Sequence, residues 1–274
     1  MKYGYEIILP NEDLPFKMFI FEGKDGNYIR EKHWHPSIEI FAIFEGSLRF
    51  FLNDIEYCLE SGDFVLVNSN EVHSIFARKS NTTVVLQIPL NIFENYYLDE
   101  PFIMFSHEPS VQDKRMMELI WEMYHTYTAQ ECGYELLVQS IFYKFLYLLV
   151  TEYRIAEVSP EFARGYRKLN RLSEITSYIE ENYQSDLSLE KLAAVFGYSP
   201  AYLSKMFPKY ATITYRDYLQ SIRVERAKRE LTRTDHMISD IAVKHGFSDS
   251  KAFSKAFRKK YGVLPSEYRK DLRI

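Results

Sequence analysis

Lys205, Lys251 and Lys255, interleaved with Ser204, Ser250 and Ser254, are the side chains in this sequence best suited to a specific chemistry. A lysine donates to O6 and N7 of guanine and a serine hydroxyl serves several base edges, so this set suits readout of the DNA major groove. Such readout needs a helix that presents the readers on one face. Two stretches supply one: LSLEKLAAVFGYSPAYLSKMF (Leu187–Phe207) and ISDIAVKHGFSDSKAFSKAF (Ile238–Phe257). Each has an apolar helix with an alanine at the packing position (Ala193, Ala242). Each then has a glycine (Gly197, Gly246), an aromatic residue (Tyr198, Phe247), a serine (Ser199, Ser248) and a second helix with a basic face. The glycine permits a positive-φ turn, the alanine permits close approach of the helices, and the serine is placed to cap the second helix. One such match occurs by chance in many helical hairpins. Two in register, about fifty residues apart, predict paired helix-turn-helix units.

In this motif the second helix enters the major groove. In the first unit Leu203 and Phe207 are spaced to face the core, which leaves Ala201, Ser204 and Lys205 outward. In the second, Phe253 and Phe257 face inward, and Ser250, Lys251, Ser254 and Lys255 outward. Lys209, Arg223, Arg258 and Lys259 suit phosphates, which position a protein without specifying sequence. The backbone N–H groups at Ser199 and Ser248 suit phosphates as well. Between the units Tyr215, Tyr218, Leu219, Ile222, Ala227 and Leu231 mark an amphipathic helix, and Thr214 with Asp217 resembles a capping box. About seventeen residues at ~1.5 Å each make a rod of roughly 25 Å, long enough to hold two recognition helices in successive major grooves.

Charge is divided along the chain. Residues 170–274 hold 19 Lys+Arg against 13 Asp+Glu, whereas residues 1–169 hold 15 against 25. The basic half suits a polyanion, and the acidic half argues against an anionic ligand of its own.

The elements that must position these residues change character along the sequence. Phe19–Phe21, Ile38–Phe44, Leu48–Leu52, Ile55–Leu59, Phe64–Val67 and Thr83–Ile88 read as short strands. Turn signals separate them at Glu45-Gly46, Asn53-Asp54, Ser61-Gly62-Asp63 and Asn68-Ser69-Asn70, as in an antiparallel barrel or sandwich. From Ser110 the period becomes helical. Val111, Met116, Leu119, Ile120 and Met123 fit one helix (111–128), and Leu136, Leu137, Ile141, Phe145, Leu148 and Leu149 a second (134–153). Residues 156–168 contain Pro160 and Gly165 without an apolar stripe and read as a linker, after which only helices are expected. The division is 1–155, linker 156–168, and 169–274, in keeping with cores that seldom grow beyond ~250 residues. Cys58 and Cys132 suggest no disulfide framework and fit a reducing cytoplasm. The opening MKYGYEIILP lacks the apolar core of a secretory signal. The ten-residue apolar run Ile141–Val150 contains Lys144 and is too short to span a bilayer.

LAAVFGYSPAYLSKMF, YLQSIRVERAKREL, IAVKHGFSDSKAFSKAFRKKYG and the closing Pro265-Ser266-Glu267-Tyr268-Arg269 resemble the DNA-binding domain of the AraC/XylS family of transcriptional regulators. One departure is Pro208-Lys209-Tyr210-Ala211-Thr212, where the family usually has a lysine pair and a glycine turn. Pro208 is therefore expected to shorten the first recognition helix, and Ala201 is small for a base reader, which leaves Ser204 and Lys205 to carry most of the first-unit readout. The N-terminal half is similar to the two motifs of the cupin barrel. It has His33-Trp34-His35 with Glu39 and Gly46, and later Gly62-Asp63 with His73. Asn68 and Asn70 replace the usual proline and glycine of the later motif, and Ala77 its terminal asparagine.

The resemblance implies an α+β chain of two domains, a cupin-like β-barrel with a helical pair and an all-α domain with two helix-turn-helix units. It implies a cytoplasmic DNA-binding regulator or activator that meets promoter DNA, RNA polymerase and a small-molecule effector. By the family's habit the effector is a carbohydrate. It also implies a homodimer through an antiparallel helical contact, for which Leu136, Leu137, Ile141 and Leu148 are candidates, with plain intramolecular core as the alternative. His33, His35, Glu39 and His73 are the set with which cupins hold a divalent metal, and imidazole with carboxylate suits iron, manganese, nickel or zinc. The same side chains suit hydrogen bonds to effector hydroxyls, or to one another. Tyr5, Phe19, Phe41, Phe50 and Tyr57 either stack on a sugar ring or fill the barrel. The rival function is a cupin dioxygenase or isomerase fused to a DNA-binding tail, and a weaker one is a non-specific architectural protein.

Overall fold

The structure, a computed structural model, describes residues 4–271 except 7, 9, 12, 24–27, 98–101, 110, 158, 159, 211 and 212. Cα proximity divides the chain into two compact units, parting between Ser173 and Glu174.

The first unit is a curled sheet with helices against one face. Its strands are β1 (Gly4–Tyr5), β2 (Lys17–Glu22), β3 (Tyr28–Trp34), β4 (Ile38–Leu52), β5 (Ile55–Glu60), β6 (Phe64–Val67), β7 (His73–Ala77) and β8 (Asn81–Ile88). The order is β1-β3-β7-β4-β8-β2, with β5 and β6 also on β4. The pairings are antiparallel except for β1 with β3. A turn was expected at Glu45-Gly46, but β4 runs through it for 15 residues with a register shift between Ile43 and Glu45. A bulge of this kind bends a strand. Before it β4 pairs with β6 and β8, the β8 pairing running on to Gly46, and from Ser47 onward β4 pairs with β5 and β7, which curls the sheet on itself.

β8 is buried along nearly its whole length because both of its faces are covered. Val84, Leu86 and Ile88 meet Met116, Ile120, Phe142 and Phe145 of the helices, and Val85 meets Phe41, Phe50 and Ile75 inside the curl. The helices are α1 (Lys114–Ala129) and α2 (Tyr134–Glu152). Asp113 starts α1 by accepting from the backbone N–H of Arg115 and Met116, so Val111 lies ahead of the helix, exposed, rather than on it.

α3 (Pro160–Asn182) corrects the linker expected at 156–168, of which 158 and 159 lie outside the described residues. Pro160 starts the helix, where proline is favoured, and one interior glycine costs only ~1 kcal/mol. Tyr166 of α3 is buried against Phe102 and Met104. Its hydroxyl donates to Ser69 O at 3.0 Å, and the Ser173 hydroxyl donates to Asn70 Oδ1 at 2.9 Å. The same β6–β7 loop is held from its other sides. Asn70 N–H donates to His35 O at 2.8 Å, and Asn68 exchanges two hydrogen bonds with the backbone of Phe105 at 2.8 and 3.0 Å.

The second unit holds the end of α3 and α4 (Leu189–Phe196), α5 (Pro200–Tyr210), α6 (Tyr215–Arg233), α7 (Ile238–Lys244), α8 (Ser250–Tyr261) and α9 (Pro265–Asp271). The expected stripe of α6, Tyr215 to Leu231, is buried. Thr214 caps it, accepting from Asp217 N–H at 3.1 Å while its hydroxyl donates to the Asp217 carboxylate at 2.7 Å. Pro208 does not shorten α5, which continues to Tyr210, the proline sitting in its last turn; Ala211 and Thr212 lie outside the described residues.

Candidate functional site

In the sheet, strand register brings four distant residues together. His33 on β3 stands opposite His73 on β7, His35 follows the end of β3, and Glu39 lies near the start of β4. All four are buried, and one potential ligand atom from each lies within 4.8 Å of the others. Each imidazole Nδ1 faces a backbone carbonyl: Glu31 O at 2.9 Å, Ser37 O at 3.2 Å and Glu71 O at 3.0 Å. A carbonyl only accepts, so each Nδ1 carries the hydrogen and each Nε2 of a neutral ring offers its lone pair inward. Those lone pairs meet carboxylates. His35 Nε2 lies 2.8 Å and His73 Nε2 2.9 Å from Glu39 Oε2, and His33 Nε2 lies 3.2 Å from Glu6 Oε2. The His73 contact lacks hydrogen-bond alignment, leaving Nε2 buried without a partner. Acceptors facing acceptors need a positive charge between them, from protons on the rings or from a cation. Three nitrogen donors and a carboxylate fit a divalent transition metal.

The electrostatics agree. Burial opposes the charge on Glu39, yet His35 and His73 hold it well below the usual carboxylate range. Burial likewise opposes the charge on Glu6, while the hydrogen bond from His33 and the nearby Arg30 guanidinium bring it down to about 2. Glu6 and Gln87 belong to this cluster but were not anticipated. Gln87 donates to Glu39 Oε1 at 2.6 Å. A glutamine within the apolar run of β8 was the available signal, whereas nothing in the sequence marks Glu6.

A cavity of about 190 Å³ opens beside His33 and Glu39, walled by Phe19, Phe41 and Val85 and edged by Lys17 and Arg30. His35 and His73 do not line it. Phe50 is buried in the core beside it, Tyr57 packs on that core, and the Tyr5 side chain lies outside the described residues.

The second unit presents its expected readers on two helices. Ala201, Ser204, Lys205 and Lys209 are exposed on α5, while Leu203 and Phe207 are buried. On α8 Lys251, Lys255, Arg258 and Lys259 are exposed, Ser250 and Ser254 half-buried, and Phe253 and Phe257 buried. Ser199 accepts from Tyr202 N–H at 3.2 Å, as a cap does. Ser248 does not cap α8. Asp249, one residue on and extended, accepts from Ala252 N–H at 2.7 Å, a carboxylate suiting the positive helix end better than a hydroxyl. Arg223 is not free for phosphate, because it donates to Tyr183 O at 2.7 Å and Ser185 O at 2.8 Å. Lys259 pairs with Asp217 at 2.8 Å.

Residues 16–146 match the model of an AraC-like ligand binding domain, and residues 192–271 that of a helix-turn-helix domain. The chain belongs to the AraC family of transcriptional regulators. Among relatives within this family, the Msm operon regulatory protein of Streptococcus mutans is 29% identical over 280 residues, covering 97% of this chain and 96% of its own. An HTH-type transcriptional regulator of Staphylococcus aureus is 23% identical over 227 residues, covering 80% of this chain but only 29% of its own length. The fold is that of a substituted apo form of ToxT from Vibrio cholerae, with a TM-score of 0.51 at 18% identity, covering 94% of this chain and 98% of that one. The family supplies a DNA-binding transcription regulator with an N-terminal ligand-binding domain.

Cys58 and Cys132 are free and exposed. Among the described residues no helix is long and apolar enough to cross a membrane. Of the residues expected at a subunit contact, Ile141 is fully buried within its own unit, whereas Leu136 and Leu137 are 75% and 51% exposed.

Proposed function

We propose that this chain is a one-component cytoplasmic regulator whose sheet domain binds a small effector and whose α5 and α8 read promoter DNA. The observation that carries the reading is the pair of exposed lysine-bearing helices, each opening on a capped turn. Ser204, Lys205, Lys251 and Lys255 are the proposed base readers, with Ser250 and Ser254 partly accessible. Lys209 and Arg258, and the backbone N–H groups after Ser199 and Ser248, are the proposed phosphate contacts. Regulation of an operon, the role in the Streptococcus mutans relative's name, supports action at a promoter, and we extend this to contact with RNA polymerase as an activator.

The effector occupies the cavity beside His33 and Glu39, whose volume is below the ~300–1,000 Å³ of drug-sized sites and suits a monosaccharide. A cation held by His33, His35, Glu39 and His73 would supply Lewis acidity toward an effector oxygen. The four side chains themselves tie β3, β4 and β7 together beside the cavity, which His33 and Glu39 line. For regulation, the effector must favour one arrangement of the regulator over another. The covalent path between the units is α3. A homodimer is supported by the exposed apolar residues of α2, where Tyr143, Tyr147 and Leu148 line a groove of about 580 Å³ beside Leu119 of α1.

The test is fluorescence anisotropy of the full chain on operator DNA selected from a random library. Lys205→Ala and Lys255→Ala should each weaken binding to that sequence while non-specific binding changes little. Unchanged specific affinity in both variants rejects the reading.

A further inference from the structure

We propose that the effector is a small polyhydroxylated acid, its carboxylate or phosphate held by Lys17 and a neighbouring hydroxyl by Gln87. This deepens the reading of the sheet cavity as an effector site and rests on it.

Strand register aligns three polar side chains across the sheet. Glu39 on β4 stands opposite Gln87 on β8, and Gln87 stands opposite Lys17 on β2. The three form one row across adjacent strands, with cross-strand neighbours ~5 Å apart at Cβ and therefore pointing to the same side. All three line the cavity, and the next inward row is Phe41, Val85 and Phe19. The cavity thus has a polar row beside an apolar, partly aromatic one.

The polar row is left incomplete in a specific way. Both carboxylates lining the cavity are already matched. Glu6 takes Arg30 at 3.1 Å and Glu39 takes Gln87 at 2.6 Å, while their imidazole neighbours share with them the positive charge that the cluster needs. Lys17 is not matched. Lys17 is half-buried, and among the described residues its ammonium forms no ion pair, its contact being the Phe19 ring, 4.9 Å away. Gln87 is 1% exposed. Its Nε2 donates to Glu39, which fixes Oε1 as an acceptor, and Oε1 has no partner. A buried acceptor without a donor is costly, and the ammonium of a half-buried lysine gains most from an anion. A ligand that satisfies both offers a hydroxyl donor beside a negative group. The space of about 190 Å³ equals roughly six waters at ~30 Å³ each, the size of one sugar ring or chain. The acidic balance of residues 1–169 therefore misleads, because at the cavity the unmatched charge is positive.

The experiment is a thermal-shift titration of the full chain with matched series: galactose, galacturonate and galactose 6-phosphate, and glucose, gluconate, glucuronate and glucose 6-phosphate. An acidic member should raise Tm where its neutral parent does not, and whether carboxylates or phosphates do so names the anion. Lys17→Gln should weaken that binding at least about tenfold, and Lys17→Arg should retain most of it. Circular dichroism of both variants checks that the sheet is intact. A neutral sugar that binds as well as its acids, or acid binding indifferent to Lys17→Gln, overturns the proposal and leaves the sensor reading standing. No shift with any member, neutral or acidic, at millimolar concentration overturns both.

Discussion

The two helix-turn-helix units are spelled alike but held differently. Around Gly197, in the first, a Cβ would meet nothing within 4 Å. Around Gly246, in the second, it would lie 2.9 Å from Arg223 Nε, Tyr183 O and Gln184 O. Arg223 is pinned there by the carbonyls of Tyr183 and Ser185, and His245 beside it bonds Tyr183 and Glu230. Both units bury an apolar core, Leu192, Ala193, Leu203 and Phe207 in the first and Ile241, Ala242, Phe253 and Phe257 in the second, so the difference is the polar lock that the second adds around its glycine. Their buried acids differ in the same sense. Burial pushes Glu180, beside Tyr218, up to about 7. Burial also disfavours charge on Glu230, but Lys244, His236 and His245 hold it down at about 2. The same letters at the same spacing can thus mark a turn held by apolar packing or one locked by polar contacts as well. A unit without that lock accommodates a departure such as Pro208 more readily.

The largest test of this contrast is glycine to alanine. Both turns have φ in the left-handed region, +68° and +81°, which costs a non-glycine residue ~1–2 kcal/mol. Gly197→Ala should cost about that. Gly246→Ala must also displace two carbonyls and should cost about 4 kcal/mol by urea denaturation. Equal losses would dissolve the distinction.

The acids should separate the units by pH. With Glu180 raised from 4.5 to about 7 in the fold, both states are protonated below 4.5. As pH rises from 4.5 to 7, the unfolded chain releases its proton first, so stability falls, by about 3 kcal/mol, then levels off. Glu180→Gln should flatten that fall in calorimetric scans between pH 5 and 8, with Tyr218, Arg226 and Glu181 the polar groups around it. Glu230 works the other way. Its contribution is present above 4.5 and is lost as pH falls toward 2, so Glu230→Gln should matter near neutrality and little in acid.

Operator affinity compares the readers. Lys205→Ala and Lys255→Ala should each cost roughly 1–3 kcal/mol if both helices read bases, and a loss confined to Lys255→Ala would assign specificity to the second unit. The smallest effect is at the caps. Asp249→Ala should cost about 1 kcal/mol and Ser199→Ala somewhat less, measured by thermal unfolding, whereas Ser248→Ala should cost almost nothing.

Much of this was legible in the sequence because it is local. The helix-turn-helix units, the α6 stripe and the Thr214 cap follow from periodicity and capping chemistry, and five strands (β2, β4, β5, β6 and β8) from six β-branched and aromatic runs, two of which are the halves of β4. β1, β3 and β7 were not, because β1 has only two residues and polar or charged residues interrupt the apolar pattern of β3 and β7. The structure brings His33, His35, Glu39 and His73 together, but the row Glu39–Gln87–Lys17 depends on strand register, which no single strand encodes. Arg223 looked free for phosphate because its carbonyl partners lie about forty residues earlier. Pro160 and Gly165 read as breakers because the docking of Tyr166 on Phe102 is a long-range contact.

The β6–β7 loop has an evolutionary consequence. Where the cupin motif has a proline and a glycine, this chain has Asn68 and Asn70, and the loop they bracket is bonded to partners 97 and 103 positions away in α3 and 37 positions away at Phe105. Such positions do not drift singly. Across relatives, the residue at 70 should covary with the residue at 173 rather than with its neighbours, and a chain that regains the proline and glycine should have lost both the serine at 173 and the tyrosine at 166.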